Sequence, residues 1–266
     1  MNVNLSNINT KEVQNAMKTF KHPELFDYCV IDNFFKYDVA NQLSDEIPDF
    51  ESPFWHEYNN AIELKKTCND WNKFPQLTYS AFAFLNSEIF INYIQEHSGI
   101  KPLYPDPGLN GGGWHIHSNG GKLNPHLDYS IHPKLKQERK LNIIIYLEKG
   151  WQSEWGGHLG LYADTAAGKP KKLEIEIEPK FNRAVLFDTT QNSWHGLSRV
   201  VTTPDGYCRK SMAAYYLTTP DEQAPERGKA LFAPTDDQAD DKNVSELIQL
   251  RSDASTFNKV YRKNEK

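Results

Sequence analysis

Pro125-His126-Leu127-Asp128 and, far downstream, Trp194-His195-Gly196 decide how this chain is read. In a β-strand the side chains at i and i+2 point to the same face, so a strand through the first stretch projects His126 and Asp128 together. A histidine from a distant strand, His195, then completes two imidazoles and one carboxylate. A lone His-x-Asp tripeptide carries little weight. Roughly half an occurrence is expected by chance in a chain of this size and composition, and a satisfied surface or core histidine is the bland reading. The surroundings add the weight. Gly111-Gly112-Gly113 and Gly120-Gly121 precede it, and a long apolar run follows it. His195 comes after further strand patterns, and Arg209 opens the next strand.

Two imidazoles and one carboxylate leave the other coordination positions of a metal open. The chemistry that goes with that donor set is non-haem Fe(II) oxygenation. The bulk numbers are compatible with it. The chain has 266 residues, 38% of them hydrophobic and 12% aromatic, which is enough for one large folded domain or one domain with extensions. A net charge of −5 argues against an electrostatically driven nucleic-acid binder, and no nucleic acid is expected as a partner. Three cysteines, Cys29, Cys68 and Cys208, without short spacing suggest neither a disulfide framework nor a zinc knuckle. Residues 1–11 are polar and lack the pattern of a signal peptide, and no apolar run is long enough for a membrane span. A cytoplasmic, reducing location is therefore expected, which suits a ferrous site.

Along the chain, residues 9–20 suggest a short surface helix with fraying residues before it. Residues 28–31 read as a strand and 36–46 as a helix stopped by Pro48. Residues 50–75 are irregular and aromatic, and core packing is favoured there over a substrate lid. Residues 85–97 form an amphipathic pattern ended by Gly99. From about residue 101 strands dominate: 114–117, 123–130, 141–147, 158–162, 173–178, 183–187, 194–197 and 209–217. The run 141–147 is almost continuously apolar, as in a strand buried on both faces, whereas 173–178 alternates and is half exposed. About eight short strands with turns between them suggest a mainly β fold with flanking helices, a double-sheet jelly roll with an N-terminal helical and strand extension. The expected organisation is an extension over 1–24, a domain over 25–220 with its jelly-roll core at about 101–220, and a polar tail with a short helix over 221–266.

These pieces together resemble the 2-oxoglutarate- and Fe(II)-dependent oxygenases of the prolyl-4-hydroxylase-like branch. The carrying motifs are Gly-Gly-x-Leu-x-x-His-x-Asp at 120–128, Arg-x-Leu-Asn-x-x-x-Tyr-Leu at 139–147 and Trp-Gly-Gly-x-Leu-x-Leu at 155–161. His195-Gly196, Arg209-Lys210-Ser211 and the opening Val30-Ile31-Asp32-Asn33-Phe34-Phe35 complete the set. The match covers roughly residues 25–220, and the order of the motifs is more specific than any one of them. The resemblance implies a double-stranded β-helix that holds Fe(II) through His126, Asp128 and His195. It also implies that Arg209 anchors the C5-carboxylate of 2-oxoglutarate. An arginine fork pairs a carboxylate bidentately, and Ser211 on the same strand face adds a hydroxyl. Lys210 points the other way on a regular strand, so it and Arg199 are lesser candidates. Asn142 and Tyr146 lie at even spacing on a facing strand and are candidate cosubstrate contacts, Tyr146 being equally a core residue. The implied reaction consumes O2 and 2-oxoglutarate, releases succinate and CO2, and hydroxylates an unactivated C–H. In halogenating relatives the carboxylate of the triad is replaced by a small residue. Asp128 is present here, so hydroxylation is the expected outcome.

Two other classes remain at this level: a non-catalytic jelly roll with a structural metal, and a cupin-like metal enzyme that does not use 2-oxoglutarate. His115 and His117 are candidates for contacts around the metal or substrate and equally for an edge strand with one satisfied imidazole. His158 reads as structural. The substrate is a small molecule, an amino acid or a peptidyl side chain, prolyl included. Its pocket walls are expected from residues 50–75, 132–139, 202–206 and the tail. Fold-level likeness does not choose among these substrates, and the oligomeric state is not legible.

Overall fold

The apolar run at 141–147 lies at the centre of the larger of two sheets. A computed structural model describes residues 2–165, 168–256 and 259–260. The chain begins with α1 (Thr10–Met17), β1 (Tyr28–Ile31), α2 (Tyr37–Asp45), β2 (His56–Asn59), β3 (Glu63–Cys68), α3 (Gln76–Leu85) and α4 (Glu88–Ser98). It continues with β4 (Tyr104–Pro105), β5 (Gly113–His117), β6 (Lys122–Leu123), β7 (His126–Leu127), β8 (Glu138–Tyr146), β9 (Leu159–Asp164) and β10 (Pro170–Ile177). It closes with β11 (Ala184–Asp188), β12 (Trp194–Leu197), β13 (Arg209–Thr218), β14 (Leu231–Phe232) and α5 (Lys242–Ser252). The larger sheet runs β1-β11-β8-β13-β5-β3-β2, with β4 beside β13 and β6 beside β3. The smaller sheet runs β10-β9-β12-β7-β14. These two antiparallel sheets form the double-stranded β-helix with flanking helices that the sequence suggested.

The larger sheet is covered on both faces, and its alternation shows by what. Leu141, Ile143 and Ile145 of β8, Ala184 and Leu186 of β11, and Met212, Ala214 and Tyr216 of β13 are buried in one cluster with Val13, Leu43, Phe82 and Phe90 from the helices. The intervening residues face the smaller sheet. Tyr146, Val185 and Phe187 pack there with Leu159, Leu161 and Ile177. A strand sandwiched in this way needs apolar side chains at every position, which explains the unbroken run. Polar residues on its inner face therefore stand out, and they lead to the site.

Several expectations need correction. Residues 50–75 are not irregular: they contain the hairpin β2–β3, which extends the larger sheet past β5. Their aromatics do pack as core, with Phe54, Trp55 and Phe74 around the fully buried Trp114. The single strand expected over 123–130 is two short ones. Lys122–Leu123 pairs with β3 of the larger sheet, and His126–Leu127 pairs with β12 and β14 of the smaller. The chain changes sheets at Pro125, which has no N–H to donate to a ladder. Helix α3 precedes the expected helix at 85–97, and β8 begins at Glu138, three residues before the strand expected from 141. The residues before α1 are not frayed. Val3 and Ile8 are buried and the Val3 N–H donates to Ser80 Oγ at 2.7 Å. The segment after Pro220 returns to the site: β14 adds to the edge of the smaller sheet beside β7, and α5 packs on β14. The expected tail also spans 257–258 and 261–266, which lie outside the described residues.

Candidate metal centre

Three side chains from the smaller sheet converge. His126 stands opposite His195 in the β7–β12 register, and the two rings lie 4.3 Å apart, centroid to centroid. Asp128 follows β7 by one residue. Its Oδ1 is 3.9 Å from His126 Nε2 and its Oδ2 4.0 Å from His195 Nε2. One ligand atom from each of the three lies within 4.8 Å of the others. All three residues are buried.

The imidazoles are oriented from behind. His126 Nδ1 lies 3.0 Å from the Asn124 carbonyl, and His195 Nδ1 lies 2.8 Å from the Ser193 carbonyl. A carbonyl only accepts, so each Nδ1 carries a proton, and each Nε2 is the nitrogen turned toward Asp128, the orientation a metal ligand needs. Burial, with His195 beside it, pushes the His126 imidazolium down to about 3, so this ring is neutral at physiological pH. The Asp128 carboxylate resists burial and is held down at about 2, chiefly by the Arg139 guanidinium. Arg139 Nη1 is 3.5 Å from Oδ1, and the Tyr215 hydroxyl donates to Oδ2 at 3.0 Å. Arg139 itself is clamped between the Tyr129 and Tyr215 rings, at 3.4 and 3.5 Å from their centroids, and donates to the Asn110 carbonyl. Two imidazoles with their outer nitrogens occupied, and one fixed carboxylate, fit a divalent iron with open positions.

The cluster opens into a cavity of about 500 Å³ between the two sheets. Arg209, Ser211 and Asn142 line the opposite wall. Arg209 is 4% exposed, its Nε donates to the Gly157 carbonyl at 2.7 Å, and among the described residues no carboxylate lies within ion-pair distance of it. Burial lowers its affinity for its proton. Around it are buried polar atoms without protein partners: Ser211 Oγ and both ring nitrogens of His117. The strand register places them together, Arg209 opposite His117, and Ser211 between Tyr146 and His115. Tyr146 sits deeper than the cavity wall, its ring 4.8 Å from the Arg209 guanidinium carbon. Buried polar groups are almost always hydrogen-bonded, so this grouping fits an anionic ligand. The lesser candidates are elsewhere. Lys210 pairs with Glu148 at 3.0 Å, and Arg199 pairs with Glu176 at the surface. His158 is held by Ser153 and the Gly156 carbonyl, away from the cavity.

Residues 112–217 match the family described as the 2OG-Fe(II) oxygenase superfamily. This segment belongs to that superfamily. The chain is 27% identical over 203 residues to the prolyl 3-hydroxylase OGFOD1 of Xenopus laevis, covering 70% of this chain and 39% of that protein. The mouse protein of the same name is 24% identical over 189 residues, covering 66% and 30%. The chain thus spans well under half the length of the curated relatives it matches. Among solved structures, a Pseudomonas putida prolyl-4-hydroxylase superposes with a TM-score of 0.56 at 15% identity, over 78% of this chain and all of that one. The curated likenesses are thus to prolyl hydroxylases, and the superposition shows a shared fold. The described residues contain no helix long and apolar enough to cross a membrane.

Sequence reasoning named His126, Asp128, His195, Arg209, Ser211, Asn142 and Tyr146, and the fold brings all seven into one region. It missed the Arg139–Tyr215 clamp on Asp128. Tyr215 was within reach, since 209, 211, 213 and 215 share a strand face. The wall expected from residues 50–75 does line the cavity through β2 and β3, but its strand character was missed because its residues are charged rather than alternating apolar. Of the expected walls, residues 202–206 do not line the cavity.

Proposed function

We propose that this chain is an Fe(II)- and 2-oxoglutarate-dependent dioxygenase that hydroxylates an unactivated C–H of a small molecule, amino acid or peptidyl substrate, prolyl included. In this reading His126, Asp128 and His195 hold the iron. Arg209 and Ser211 hold the distal carboxylate of 2-oxoglutarate, with Asn142 and Tyr146 as further contacts. The supporting observation is the buried Arg209, without a carboxylate partner among the described residues, in the same cavity as the triad. A structural metal gives no reason to place such an arginine there. The names of the curated relatives favour a prolyl side chain.

Bound at this triad, iron supplies the oxygen-activating redox chemistry; the protein positions, orients and excludes water. The Asn124 and Ser193 carbonyls fix the two rings. Arg139 and Tyr215 each take one oxygen of Asp128 and restrict its rotation. The Arg209 fork is held by the Gly157 carbonyl, leaving its terminal nitrogens to bind a carboxylate bidentately. Ile144, Leu159 and Leu197 give the cavity apolar wall, which strengthens these polar contacts by keeping out water. We place the oxygenase domain at 25–220, with the segment after it completing the cavity. The three cysteines are free thiols, which suits a reducing, cytoplasmic setting.

The test is anaerobic addition of Fe(II) and then 2-oxoglutarate, following the weak visible charge-transfer band of the chelate. A band that requires 2-oxoglutarate and fades in Arg209→Ala is expected. Metal binding without such a band would overturn the assignment.

A further inference from the structure

The match to the oxygenase superfamily ends at residue 217, yet the chain beyond Pro220 comes back to the metal strand. Strand β7 is two residues long, and β12 takes one side of it. On the other side β14 pairs Leu231 with Leu127 and Phe232 with His126. Without β14 that side would be a sheet edge, with unpaired backbone groups beside a metal ligand. The two pairings set Phe232, His126 and His195 in one row across three strands. The Phe232 ring stacks on the His126 imidazole, 5.0 Å between centroids and 22° between planes. The His195 ring lies 4.3 Å away on the other side. The Asn124 carbonyl fixes one nitrogen of His126, and the flat face of Phe232 fixes the plane of its ring.

The same segment holds the backbone on either side of His126. The Ala233 N–H donates to the Pro125 carbonyl at 2.8 Å. Asn124, whose carbonyl orients His126, donates through its side-chain nitrogen to the Ala233 carbonyl at 3.1 Å and to Gln238 Oε1 at 2.6 Å. Gln238 in turn donates to the Ala61 carbonyl, between β2 and β3, at 2.9 Å. Asp128 lies one residue past β7. There Arg227 stands in for a strand partner: its Nε donates to the Asp128 carbonyl at 3.1 Å. The Arg227 N–H donates to Ser130 Oγ at 2.8 Å, and its carbonyl accepts from the Ser130 N–H at 2.9 Å. Ser130 Oγ donates onward to the Pro225 carbonyl. Arg139 and Tyr215 hold the Asp128 carboxylate, and Arg227 holds the backbone that carries it.

We infer that residues 225–233 are a built part of the metal centre, in which Phe232 and Arg227 are positioning residues for His126 and Asp128. This rests on the reading of His126, Asp128 and His195 as a metal site, and not on the assignment of Arg209 to 2-oxoglutarate. A segment that only covered a sheet edge would need a ladder and apolar side chains. It would need neither a ring laid flat on a ligand imidazole nor a guanidinium aimed at the carbonyl of a ligand carboxylate's own residue.

The test uses the full chain and reads two quantities, the affinity for Mn(II) and the electron paramagnetic resonance spectrum of bound Cu(II). Phe232→Leu keeps an apolar side chain and removes the flat face. Arg227→Met keeps the stem and removes the donor, and Arg227→Lys returns a donor. Val244 of α5 packs with Phe232 and Ile62 and does not line the cavity, so Val244→Ala loosens the same segment and controls for stability alone. Phe232→Leu and Arg227→Met should each weaken Mn(II) binding about tenfold, as for other partners behind metal ligands, and shift or split the Cu(II) spectrum. Arg227→Lys should recover most of both. Val244→Ala should lower the unfolding midpoint and leave affinity and spectrum at wild type. Should Phe232→Leu not fold, the two Arg227 variants decide by the same readouts. Wild-type affinity and spectrum in Phe232→Leu and Arg227→Met, or an effect of Val244→Ala as large as theirs, overturns the inference. A chain that responds as expected but shows no 2-oxoglutarate-dependent band loses the proposed function and keeps this inference. A wild-type chain that binds no metal loses both.

Discussion

At Asp128 two neighbours do different work. Arg139 supplies charge and Tyr215 supplies direction, and both act on a carboxylate that would otherwise rotate in a buried pocket. Partners behind metal ligands typically change metal affinity 10–100-fold when removed. Tyr215→Phe should therefore weaken Mn(II) binding by roughly tenfold without altering the fold, measured by metal titration. An unchanged affinity would mean that Arg139 alone fixes the carboxylate. His115 makes a pH prediction. Burial, with Lys65 and Arg209 near it, lowers its imidazolium to about 3, well under the usual 6.5. The unfolded chain takes up a proton below 6.5 and the folded chain does not. The stability this residue contributes is thus present above pH 6.5 and is lost as pH falls from 6.5 toward 3. At pH 5.5 the loss is at most about 1.4 kcal/mol. Thermal melts of the metal-free protein should fall between pH 7 and 5.5, and less steeply in His115→Gln.

Among the elements, the β7–β12 contact is the smallest and the most consequential. It consists of the single pair His126 and His195. Gly196 lets it form, because a Cβ there would lie 2.7 Å from the carbonyl oxygens of both Leu123 and Asn124. The Asn124 carbonyl is also the acceptor that orients His126. Gly196→Ala should push the two strands apart and lower metal affinity more than about tenfold while far-UV circular dichroism stays native. Metal binding at wild-type strength would show that the strand adjusts. The β5 strand is anchored differently, by Trp114 under Phe54, Trp55 and Phe74. Trp114→Ala should cost about 3–5 kcal/mol, read by denaturant unfolding.

For the whole molecule, the two sheets meet at the site, so its ligands act as ties between them. The triad lies on the smaller sheet and Arg209 on the larger. Mn(II) and 2-oxoglutarate added together should raise the melting temperature. A ligand at a hundred times its dissociation constant adds about 2.7 kcal/mol, or roughly 5–10 °C for a chain of this size. EDTA should reverse the gain, and Arg209→Ala should abolish the 2-oxoglutarate part while keeping the metal part. Loss of both in that variant would point to a damaged fold rather than a missing anchor.

The double-sheet class was legible in the sequence because it rests on short-range regularities, and the seven candidate site residues were named from the His-x-Asp spacing together with the resemblance carried by the order of the motifs. Alternation assigns a face to Ser211 and Asn142, unbroken apolar runs mark β8 as covered on both sides, and the motifs keep their order. What lay outside that reach depends on which strand becomes whose neighbour. Strict alternation puts Arg139 with Leu141 and Ile143, toward the helices. A register shift between Tyr216 and Leu217 inserts one extra residue on β8, so that Leu217 faces Arg139 while Tyr216 faces Leu141. Such a bulge re-aims a side chain, and here it turns Arg139 onto Asp128. The charged hairpin that brings Lys65 to the wall, and the return of β14 against the metal strand, are also long-range pairings. Periodicity in the sequence determines which side of its own strand a residue occupies. Only the tertiary structure decides what stands on the other side, because that is fixed by pairings between segments far apart in the chain.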